Sequence, residues 1–364
     1  MKGLILVLLL LVGLLQNAGP ASAQARRPAA TIRRASAPKL PPFDPTVGDN
    51  VDGDDLTVRR AAVAALGSMR GSVVVVDPTS GRILTMVNQK LGLTSGFIPC
   101  STIKLVTSLA ALTEHVVARD TQVYVNRYVS YNLTHAIATS NNPYFSILGT
   151  RLGFDRVTRY AQMMGLGEKA GLDIPDEQPG VIPAEPPKAG GMGMMTAYGE
   201  GFLMTPLELA ALLSSIANGG TLYYLQYPRS EPEIDQFSPK VKRTLDISPT
   251  GLEDIRQGMK GAVDYGTAKR AGYDPNEPIL GKTGTCTDFR VASHMGWFGS
   301  FNDVGRHQLV VVVMLTAANK SVNGGVAAGV AGSLYRNLSE QHYFAADARQ
   351  KGMPEISTTY PCCH

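Results

Sequence analysis

Residues 71–88 read GSVVVVDPTSGRILTMVN. The run Gly71–Val76 is rich in the β-branched residues that favour strands, and the run from Arg82 to Asn88 has a similar pattern. Between them Asp77-Pro78-Thr79-Ser80-Gly81 consists of residues that favour a turn. The segment therefore predicts a β-hairpin near the start of the folded part of the chain.

Three further strand-like runs lie near the other end of the chain, at residues 279–287, 293–301 and 307–316. The intervening stretch 119–220 is punctuated by glycine, looks helical and contains no strong strand run. An antiparallel five-stranded sheet that joins both chain ends would satisfy this arrangement, with helices flanking it and the helical stretch as a second subdomain. The expected fold class is therefore mixed α/β (α+β).

Four helices are predicted outside that stretch. One begins near Leu56, and a second extends from Ser101 to about Val117. The other two are expected at about 249–264 and 321–339, the last because it is rich in alanine. Residues 221–248 are predicted to be a long loop, and Asn302-Asp303-Val304-Gly305 to be the turn between the final two strands.

Composition excludes several classes of protein. The chain has 364 residues with 34 Lys and Arg against 30 Asp and Glu, so its net charge is 34 − 30 = +4. With 44% hydrophobic and 18% charged residues it is neither a disordered polymer nor a coiled coil. A surplus of +4 over this length is too small to indicate binding to nucleic acid or to a membrane surface.

The first 23 residues have the pattern of a secretory signal. Lys2 is the short positive end, Leu4 to Leu15 is an almost purely apolar run, and Ala21-Ser22-Ala23 offers a cleavage site. A membrane span needs about 20 residues, so an uncleaved anchor is the alternative interpretation. We expect an exported protein in a periplasmic or other extracytoplasmic compartment, membrane-associated if the signal is uncleaved.

The rest of the chain is expected to comprise a flexible leader at 24–54, a folded domain at 55–345 and a tail at 346–364. The leader is rich in Pro, Ala and Arg and shows no apolar periodicity. The tail ends in Cys362-Cys363-His364. Intermolecular disulfides or disorder are favoured there over a metal site, because three potential ligands on a mobile tail bind metal poorly. No metal site is predicted.

Ser101-Thr102-Ile103-Lys104 opens the second predicted helix. Positions i and i+3 share a helix face, so the Lys104 amine would lie beside the Ser101 hydroxyl. An amine whose pKa falls towards neutrality, through burial or a neighbouring cation, can activate the hydroxyl as a nucleophile. A serine N-cap with an exposed lysine is the alternative, because about one such match is expected by chance in a chain of this length.

Two later motifs carry further polar groups. Ser140-Asn141-Asn142 lies on a predicted turn, where Ser140 could relay a proton and the Asn142 amide could bind a peptide group. An Asn-Pro turn is the alternative. Gly281-Lys282-Thr283-Gly284-Thr285 begins a strand, where glycine permits close approach of a substrate backbone and the other side chains could bind a carboxylate. An edge strand with a protective lysine is the alternative.

Taken together, the three motifs resemble those of the penicillin-binding-protein and serine β-lactamase superfamily. Ser101, Ser140 and Lys282 occur in the family's order, at gaps of 39 and 142 residues. The resemblance covers roughly residues 55–340. It includes four further segments. Residues 71–84 look like the family's first hairpin, and residues 171–183 look like the loop after the second motif. Residues 205–221 look like the helix that follows in transpeptidases, and residues 294–299 look like the strand after the third motif.

This resemblance implies a penicillin-binding D,D-transpeptidase that acts on the D-Ala-D-Ala stem peptides of peptidoglycan. Ser101 would attack the carbonyl between the two D-alanines, Lys104 would take its proton, and Ser140 would help pass that proton to the leaving amine. A β-lactam antibiotic would mimic the substrate and acylate Ser101. No cofactor is implied, and a cell-wall synthesis complex is a further expected partner.

The same resemblance implies the binding residues. Asn142 would hold the peptide, and the third motif would engage the terminal carboxylate through Lys282, Thr283, Gly284 and Thr285. The backbone N–H groups of Ser101 and Thr285 would form the oxyanion hole. The gap between the first two motifs is short for the family, so the helical subdomain is expected to be trimmed on one side of the cleft.

Cys100 stands where larger transpeptidases usually have glycine, and Cys286 lies four residues after Lys282. The family's fold sets the third-motif strand beside the nucleophile helix, which could bring the two Cα atoms within disulfide range. The pairing is similar to the disulfide beside the active site in class A carbapenemases, so a Cys100–Cys286 bond is expected. Two small buried thiols are the alternative.

Three other functions remain alternatives at this stage. A D,D-carboxypeptidase would pass the same acyl-enzyme to water, and a β-lactamase would hydrolyse a β-lactam acyl-enzyme. Class A β-lactamases use a glutamate in an E-x-x-x-N pattern, which is lacking at Glu168, Glu177, Glu185, Glu200 and Glu208. A catalytically silent wall-peptide sensor or scaffold is the third, and the intact motifs argue against it.

Overall fold

The computed structural model describes residues 43–303 and 307–345. The predicted signal peptide at 1–23, residues 24–42 of the leader and the tail at 346–364 lie outside the described residues, and so do two residues of the predicted turn, Val304 and Gly305. Within the described ranges, no helix is both long enough and apolar enough to cross a membrane.

The helices and strands of the described residues are numbered in chain order. The helices are α1 (Leu56–Leu66), α2 (Gln89–Gly92), α3 (Lys104–Thr113), α4 (Leu133–Ala138), α5 (Asn142–Leu152), α6 (Phe154–Met163), α7 (Gly191–Tyr198), α8 (Pro206–Ala217), α9 (Glu231–Asp235), α10 (Pro249–Asp264) and α11 (Gly324–Glu340). The strands are β1 (Gly71–Val76), β2 (Ile83–Val87), β3 (Val123–Tyr124), β4 (Ser130–Tyr131), β5 (Thr221–Tyr223), β6 (Val241–Thr244), β7 (Ile279–Asp288), β8 (Ser293–Asn302) and β9 (Val310–Ala317).

The main sheet has five strands in the order β2-β1-β9-β8-β7, and every neighbouring pair is antiparallel. β1 lies between its hairpin partner β2 and the last strand β9, with Gly71 opposite Leu315 and Val76 opposite Val310. The predicted antiparallel sheet that joins both chain ends is therefore confirmed. β7 is an edge strand, which matters because it carries the third motif.

The sheet is buried on both faces. Val73 and Val75 belong to a core shared with α1 and α11, whereas Val74 and Val76 belong to a second core shared with α3 and α8. A strand covered on both sides has buried positions on both faces, so Val73–Val76 of β1 form an unbroken apolar run rather than an alternating one.

Two predictions about the middle of the chain were wrong in detail. The stretch 119–220 contains α4 to α8, as a helical region should, but it also contains the two-residue strands β3 and β4, which pair with each other. The predicted loop 221–248 contains α9 and the antiparallel pair of β5 and β6. β6 has the sequence Val-Lys-Arg-Thr and is partly exposed, so it shows no apolar pattern by which the sequence would indicate a strand.

The helix predicted at 101–117 begins later and ends earlier in the structure than in the prediction. Residues Cys100–Ile103 form a 3-10 turn, and α3 follows from Lys104 to Thr113. Cys100 has a φ of 52° and His115 a φ of 53°, so a left-handed residue lies near each end of this segment. Such conformations are uncommon outside glycine and interrupt regular helix.

The last part of the predicted leader packs on the domain. The Asp49 and Asp54 side chains are buried and accept hydrogen bonds from the Arg59 guanidinium at 2.9 and 3.1 Å. Asp54 also accepts a hydrogen bond of 2.6 Å from the Tyr227 hydroxyl, and Asp49 accepts from the backbone N–H of Gln89 at 2.8 Å. These contacts tie the described residues before α1 to the folded unit.

Candidate active site

The predicted nucleophile Ser101 is the second residue of the 3-10 turn that leads into α3. Its Oγ lies 3.0 Å from Nζ of Lys104, the first residue of α3. Ser101 is half-buried, whereas Lys104 is 0% exposed. The expected contact between hydroxyl and amine is therefore present, although a 3-10 turn rather than α-helix holds the serine.

The hydrogen-bond partners of Lys104 leave its lone pair free for a hydroxyl. Nζ donates to the Ser140 backbone carbonyl at 2.8 Å and to Asn142 Oδ1 at 2.5 Å, and both of these oxygens can only accept. The hydroxyl oxygens of Ser101 and Ser140 each lie 3.0 Å away. A neutral amine, with two N–H donors used by the two carbonyls, can accept a proton from the Ser101 hydroxyl.

Burial of Lys104 favours that neutral form. Loss of hydration disfavours the ammonium and is the main cause that lowers the pKa of Lys104 to about 6; the positive charge of Lys282 contributes further. A lysine with this pKa is largely unprotonated at pH 7. The alternative of an exposed helical lysine is wrong, because the side chain is fully buried.

Ser140 and Asn142 are held by the junction between α4 and α5. Ser140 has a φ of 56°, and Asn141 accepts a hydrogen bond of 2.9 Å from the Tyr144 backbone N–H and so caps α5. Asn142 is the first residue of α5 rather than a turn residue. The tight left-handed residue turns the Ser140 carbonyl and hydroxyl towards Lys104, and backbone strain of this kind is common at functional sites.

β7 brings the third motif to the same cleft. Lys282 Nζ donates to the Ser140 hydroxyl oxygen at 2.8 Å and to the Thr283 carbonyl at 3.0 Å. Lys282 is 0% exposed, and burial lowers its pKa to about 7. The Ser140 hydroxyl thus lies between the two amines. Hydrogen-bond contacts connect the side chains of Ser101, Lys104, Ser140 and Lys282 in this order.

The strand packs closely on the nucleophile turn. A Cβ placed on Gly284 would lie 3.0 Å from the Pro99 carbonyl oxygen and 3.3 Å from Cys100 Cβ, so a side chain there would force the two segments apart. A Cys100–Cys286 disulfide joins the same segments, with a Cα–Cα distance of 5.6 Å. The bond ties the residue before Ser101 to the residue after Thr285, which restrains both backbone N–H groups of the predicted oxyanion hole.

The two threonines of the motif contact residues that the sequence analysis did not single out. Thr283 Oγ1 and Thr267 Oγ1 are 2.6 Å apart, and the Gly324 backbone N–H donates to Thr285 Oγ1 at 2.8 Å. A Cβ on Gly324 would lie only 2.7 Å from Thr283 Cβ. No signal in the sequence pairs these positions, because they come from the segment after α10 and the first turn of α11.

Other candidates stay outside the cluster. His294, expected to be a packed or cleft-edge residue, lies on β8 with its Nδ1 2.8 Å from Thr287 Oγ1. Among the residues that the structure describes, no group of three or more His, Cys, Asp or Glu side chains is close enough together to hold a metal ion. Cys362-Cys363-His364 lies outside those residues.

Two solved structures share this fold. The first is PBP2 of Pseudomonas aeruginosa in complex with WCK 5153, with a TM-score of 0.67, 23% identity, and coverage of 85% of this chain and 81% of that one. The second is the D,D-transpeptidase domain of a peptidoglycan glycosyltransferase from Eggerthella lenta, with a TM-score of 0.61, 21% identity, and coverage of 79% and 82%. The fold is thus that of penicillin-binding-protein transpeptidase domains.

The family model described as penicillin binding protein transpeptidase domain matches residues 71–336, and the chain belongs to this family. It is 28% identical over 300 residues to Stage V sporulation protein D of Bacillus subtilis, covering 72% of this chain and 44% of that protein. It is 26% identical over 330 residues to peptidoglycan D,D-transpeptidase PbpA of Mycobacterium tuberculosis, covering 73% and 66%. The chain therefore spans less than half the length of the sporulation protein.

Proposed function

We propose that this chain is a serine-type D,D-transpeptidase that acts on peptidoglycan stem peptides through an acyl-enzyme at Ser101. The observation that carries the proposal is the buried, low-pKa amine of Lys104, which lies 3.0 Å from both the Ser101 and the Ser140 hydroxyl oxygens. A serine hydroxyl becomes a useful nucleophile only when such a base is adjacent.

The proposed reaction has two halves. Ser101 Oγ attacks the carbonyl carbon of the penultimate D-Ala while its proton moves to Lys104, and the N–H groups of Ser101 and Thr285 stabilise the oxyanion. The C–N bond then breaks, the leaving D-Ala amine takes a proton from the Ser140 hydroxyl, and Lys104 returns its proton to Ser140. An acceptor amine attacks the resulting ester by the reverse path and restores the Ser101 hydroxyl.

Binding of the terminal carboxylate is assigned to the third motif. Thr285 is exposed at the edge of the sheet and offers its hydroxyl to the carboxylate. Thr283, two residues earlier on the same strand, is buried. Lys282 supplies positive charge from behind Ser140 when it is protonated. An extended peptide would lie along the free edge of β7, as an additional strand.

Three of the glutamates between the second and third motifs argue against a class A β-lactamase reaction. Glu177 accepts hydrogen bonds from the backbone N–H groups of residues 170 and 171, and Glu208 from those of residues 167, 180 and 205. Glu168 pairs with Lys242 and Arg243. Each of these carboxylates is therefore committed elsewhere and is unsuited to activate a deacylating water.

We further propose that the protein works outside the cytoplasm. The apolar run after Lys2 supports a signal peptide at 1–23, and the Cys100–Cys286 disulfide suits an oxidising compartment. In this arrangement residues 24–42 form the leader, the domain extends to about residue 345, and 346–364 is a tail. A cell-wall synthesis complex is the proposed setting.

Incubation with benzylpenicillin, followed by intact mass over time, tests the function. We expect one covalent penicillin adduct that persists after free antibiotic is removed. A D-Ala-D-Ala peptide should release D-Ala faster when an acceptor amine is added, with the amine joined to the product. Rapid turnover of penicillin without an adduct would instead indicate a β-lactamase. Release of D-Ala without incorporation of the amine would indicate a carboxypeptidase, and peptide binding with no covalent chemistry would indicate a sensor.

The second-order rate of acylation by benzylpenicillin should depend on pH through both lysines. Below about pH 6 Lys104 is protonated and cannot act as a base, so the rate falls with falling pH. Above about pH 7 Lys282 loses the charge that attracts the carboxylate, so the rate falls with rising pH. The expected profile has its maximum between these two values.

A Lys282→Arg variant separates the two limbs of this profile. A guanidinium stays protonated at all accessible pH values, so the decline above about pH 7 should disappear while the rise near pH 6 stays. Stopped-flow or quenched acylation from pH 5 to 9 provides the measurement. A decline that is unchanged in the variant would show that another group causes it.

A further inference from the structure

A hydroxyl that belongs to none of the three motifs lies against the third motif. Thr267 Oγ1, in the segment after α10, is 2.6 Å from Thr283 Oγ1 on β7. Among the described residues, neither hydroxyl has another hydrogen-bond partner. Thr267 is exposed, whereas Thr283 is only 5% exposed. Little water can therefore reach Thr283, and the direction of its hydroxyl hydrogen depends on Thr267.

The backbone holds Thr267 in place from both sides. Its N–H donates to the Ala138 carbonyl at 3.2 Å, and the N–H groups of Gly266 and Ala268 donate to carbonyls of α10 at 2.9 and 2.7 Å. A Cβ on Gly266 would lie 2.1 Å from the Ala138 oxygen, so this segment packs directly on the end of α4. Ala138 is two residues before Ser140, which places Thr267 where the second and third motifs meet.

The hydroxyl of Thr285 receives a hydrogen bond from the backbone. Gly324, the first residue of α11, donates its N–H to Thr285 Oγ1 at 2.8 Å. An N–H can only donate, so this bond uses a lone pair of Thr285 and leaves its hydroxyl hydrogen free for a different acceptor. An ionised carboxyl group accepts hydrogen bonds and donates none. Thr285 is therefore prepared to donate to the terminal carboxylate.

Thr283 requires the same preparation. It points to the same side of β7 as Thr285, because residues two apart on a strand share a face. If both hydroxyls donate to one carboxylate, Thr283 Oγ1 must be the acceptor in its contact with Thr267, and the hydrogen between these two threonines must come from Thr267. A hydroxyl that already accepts a hydrogen bond is also a stronger donor, since linked hydrogen bonds polarise one another.

We propose that Thr267 is a positioning residue: it donates a hydrogen bond to Thr283 and thereby directs the Thr283 hydroxyl hydrogen at the terminal carboxylate of the substrate. Thr267 acts through Thr283 and does not itself touch the reacting atoms. This inference rests on the proposed function, because that function assigns the carboxylate to the third motif.

Benzylpenicillin and its methyl ester test this role, because the ester lacks only the free carboxylate. Thr267→Val removes the hydroxyl and keeps the shape of the side chain. We expect the rate of acylation by benzylpenicillin to fall about tenfold, the size of one weakened hydrogen bond to a charged group, while the rate with the ester is unchanged. Equal slowing of both ligands, or of neither, would overturn the proposal, because a merely structural hydroxyl does not distinguish them.

Two further variants provide the rescue and the control. Thr267→Ser keeps the hydroxyl and should react with benzylpenicillin at close to the wild-type rate. Thr150→Val removes an exposed hydroxyl on α5 that donates to the Ser146 carbonyl, and it should leave both rates unchanged. A Thr267→Ser variant that is as slow as Thr267→Val would show that the hydroxyl is not the group responsible.

A double-mutant cycle with Thr283→Val tests whether Thr267 acts through Thr283. Once the Thr283 hydroxyl is absent, Thr267 has no hydrogen to direct. Thr267→Val in the Thr283→Val background should therefore cause no further loss with benzylpenicillin. Rate reductions that multiply in the double variant would show that the two threonines act independently, which would overturn the positioning role.

A binding measurement separates this inference from the proposed function. Calorimetric titration of the Ser101→Ala variant with a D-Ala-D-Ala peptide and with its C-terminal amide should show tighter binding of the free acid. Adding Thr267→Val should reduce that preference about tenfold. This result would support the inference even if the wild-type protein formed no penicillin adduct, an outcome that contradicts the transpeptidase function alone. A preference unchanged by Thr267→Val would reject the inference even if the wild-type protein were readily acylated.

Discussion

The Ser101→Ala variant is expected to form no covalent adduct with benzylpenicillin and to release no D-Ala from a D-Ala-D-Ala peptide. The substitution removes the hydroxyl that lies 3.0 Å from the Lys104 amine and, unlike the Ser140 hydroxyl, is not also hydrogen-bonded to Lys282. Intact mass after long incubation with excess antibiotic is the measurement, and the expected effect is complete loss.

A second serine provides the control for that experiment. Ser333 is exposed on α11, on the far side of the sheet from the helical core, and Ser333→Ala should be acylated at the wild-type rate. Thermal unfolding should show that Ser101→Ala remains folded, because only a half-buried hydroxyl is lost. An adduct on folded Ser101→Ala would mean that a different side chain is the nucleophile.

Replacement of Lys104 should slow acylation by about a thousandfold, which is typical when a positioned general base is removed. Lys104→Met removes the amine, and Lys104→Arg keeps a positive charge but cannot act as a base near neutral pH. Both variants should be impaired to a similar degree, because the proposal assigns Lys104 a proton-transfer role rather than a charge. Rapid-quench acylation by benzylpenicillin gives the rates.

The pH profile distinguishes loss of the base from a general disturbance of the site. In both Lys104 variants the rise in rate near pH 6 should be absent, since no group with that pKa then acts on Ser101. A variant that keeps this rise at a reduced rate would show that another residue is the base. A Lys104→Arg variant with more than a tenth of the wild-type rate would contradict the proposed role directly.

The sequence predicted the parts of the fold that have a strong local signal. The valine-rich runs at 71–76 and 307–316 were predicted as strands, and their consecutive valines match burial on both faces of the sheet. The pair of β5 and β6 gave no such signal, because the two strands are short and most of their residues are partly or fully exposed. Its existence depends on the tertiary contacts of neighbouring segments.

The site was predictable to the extent that its residues occur in recognisable motifs. Spacing placed Lys104 beside Ser101, but no spacing rule brings Ser140 within 3.0 Å of both lysines, which only the family resemblance implied. Thr267 and Gly324 were missed, since each contributes one hydroxyl or one N–H to β7 from a distant part of the chain.

The pairing of β1 with β9 also governs how this domain can be made. Gly71 and Leu315 are partners across 315 − 71 = 244 residues, so the chain must have left the ribosome as far as β9 before the middle of the sheet can form. Contacts of such long sequence separation slow folding. Until β9 has been made, the nascent chain cannot complete the core around this sheet. A premature stop before β9 would leave an edge of β1 uncovered, which favours aggregation over a smaller folded domain.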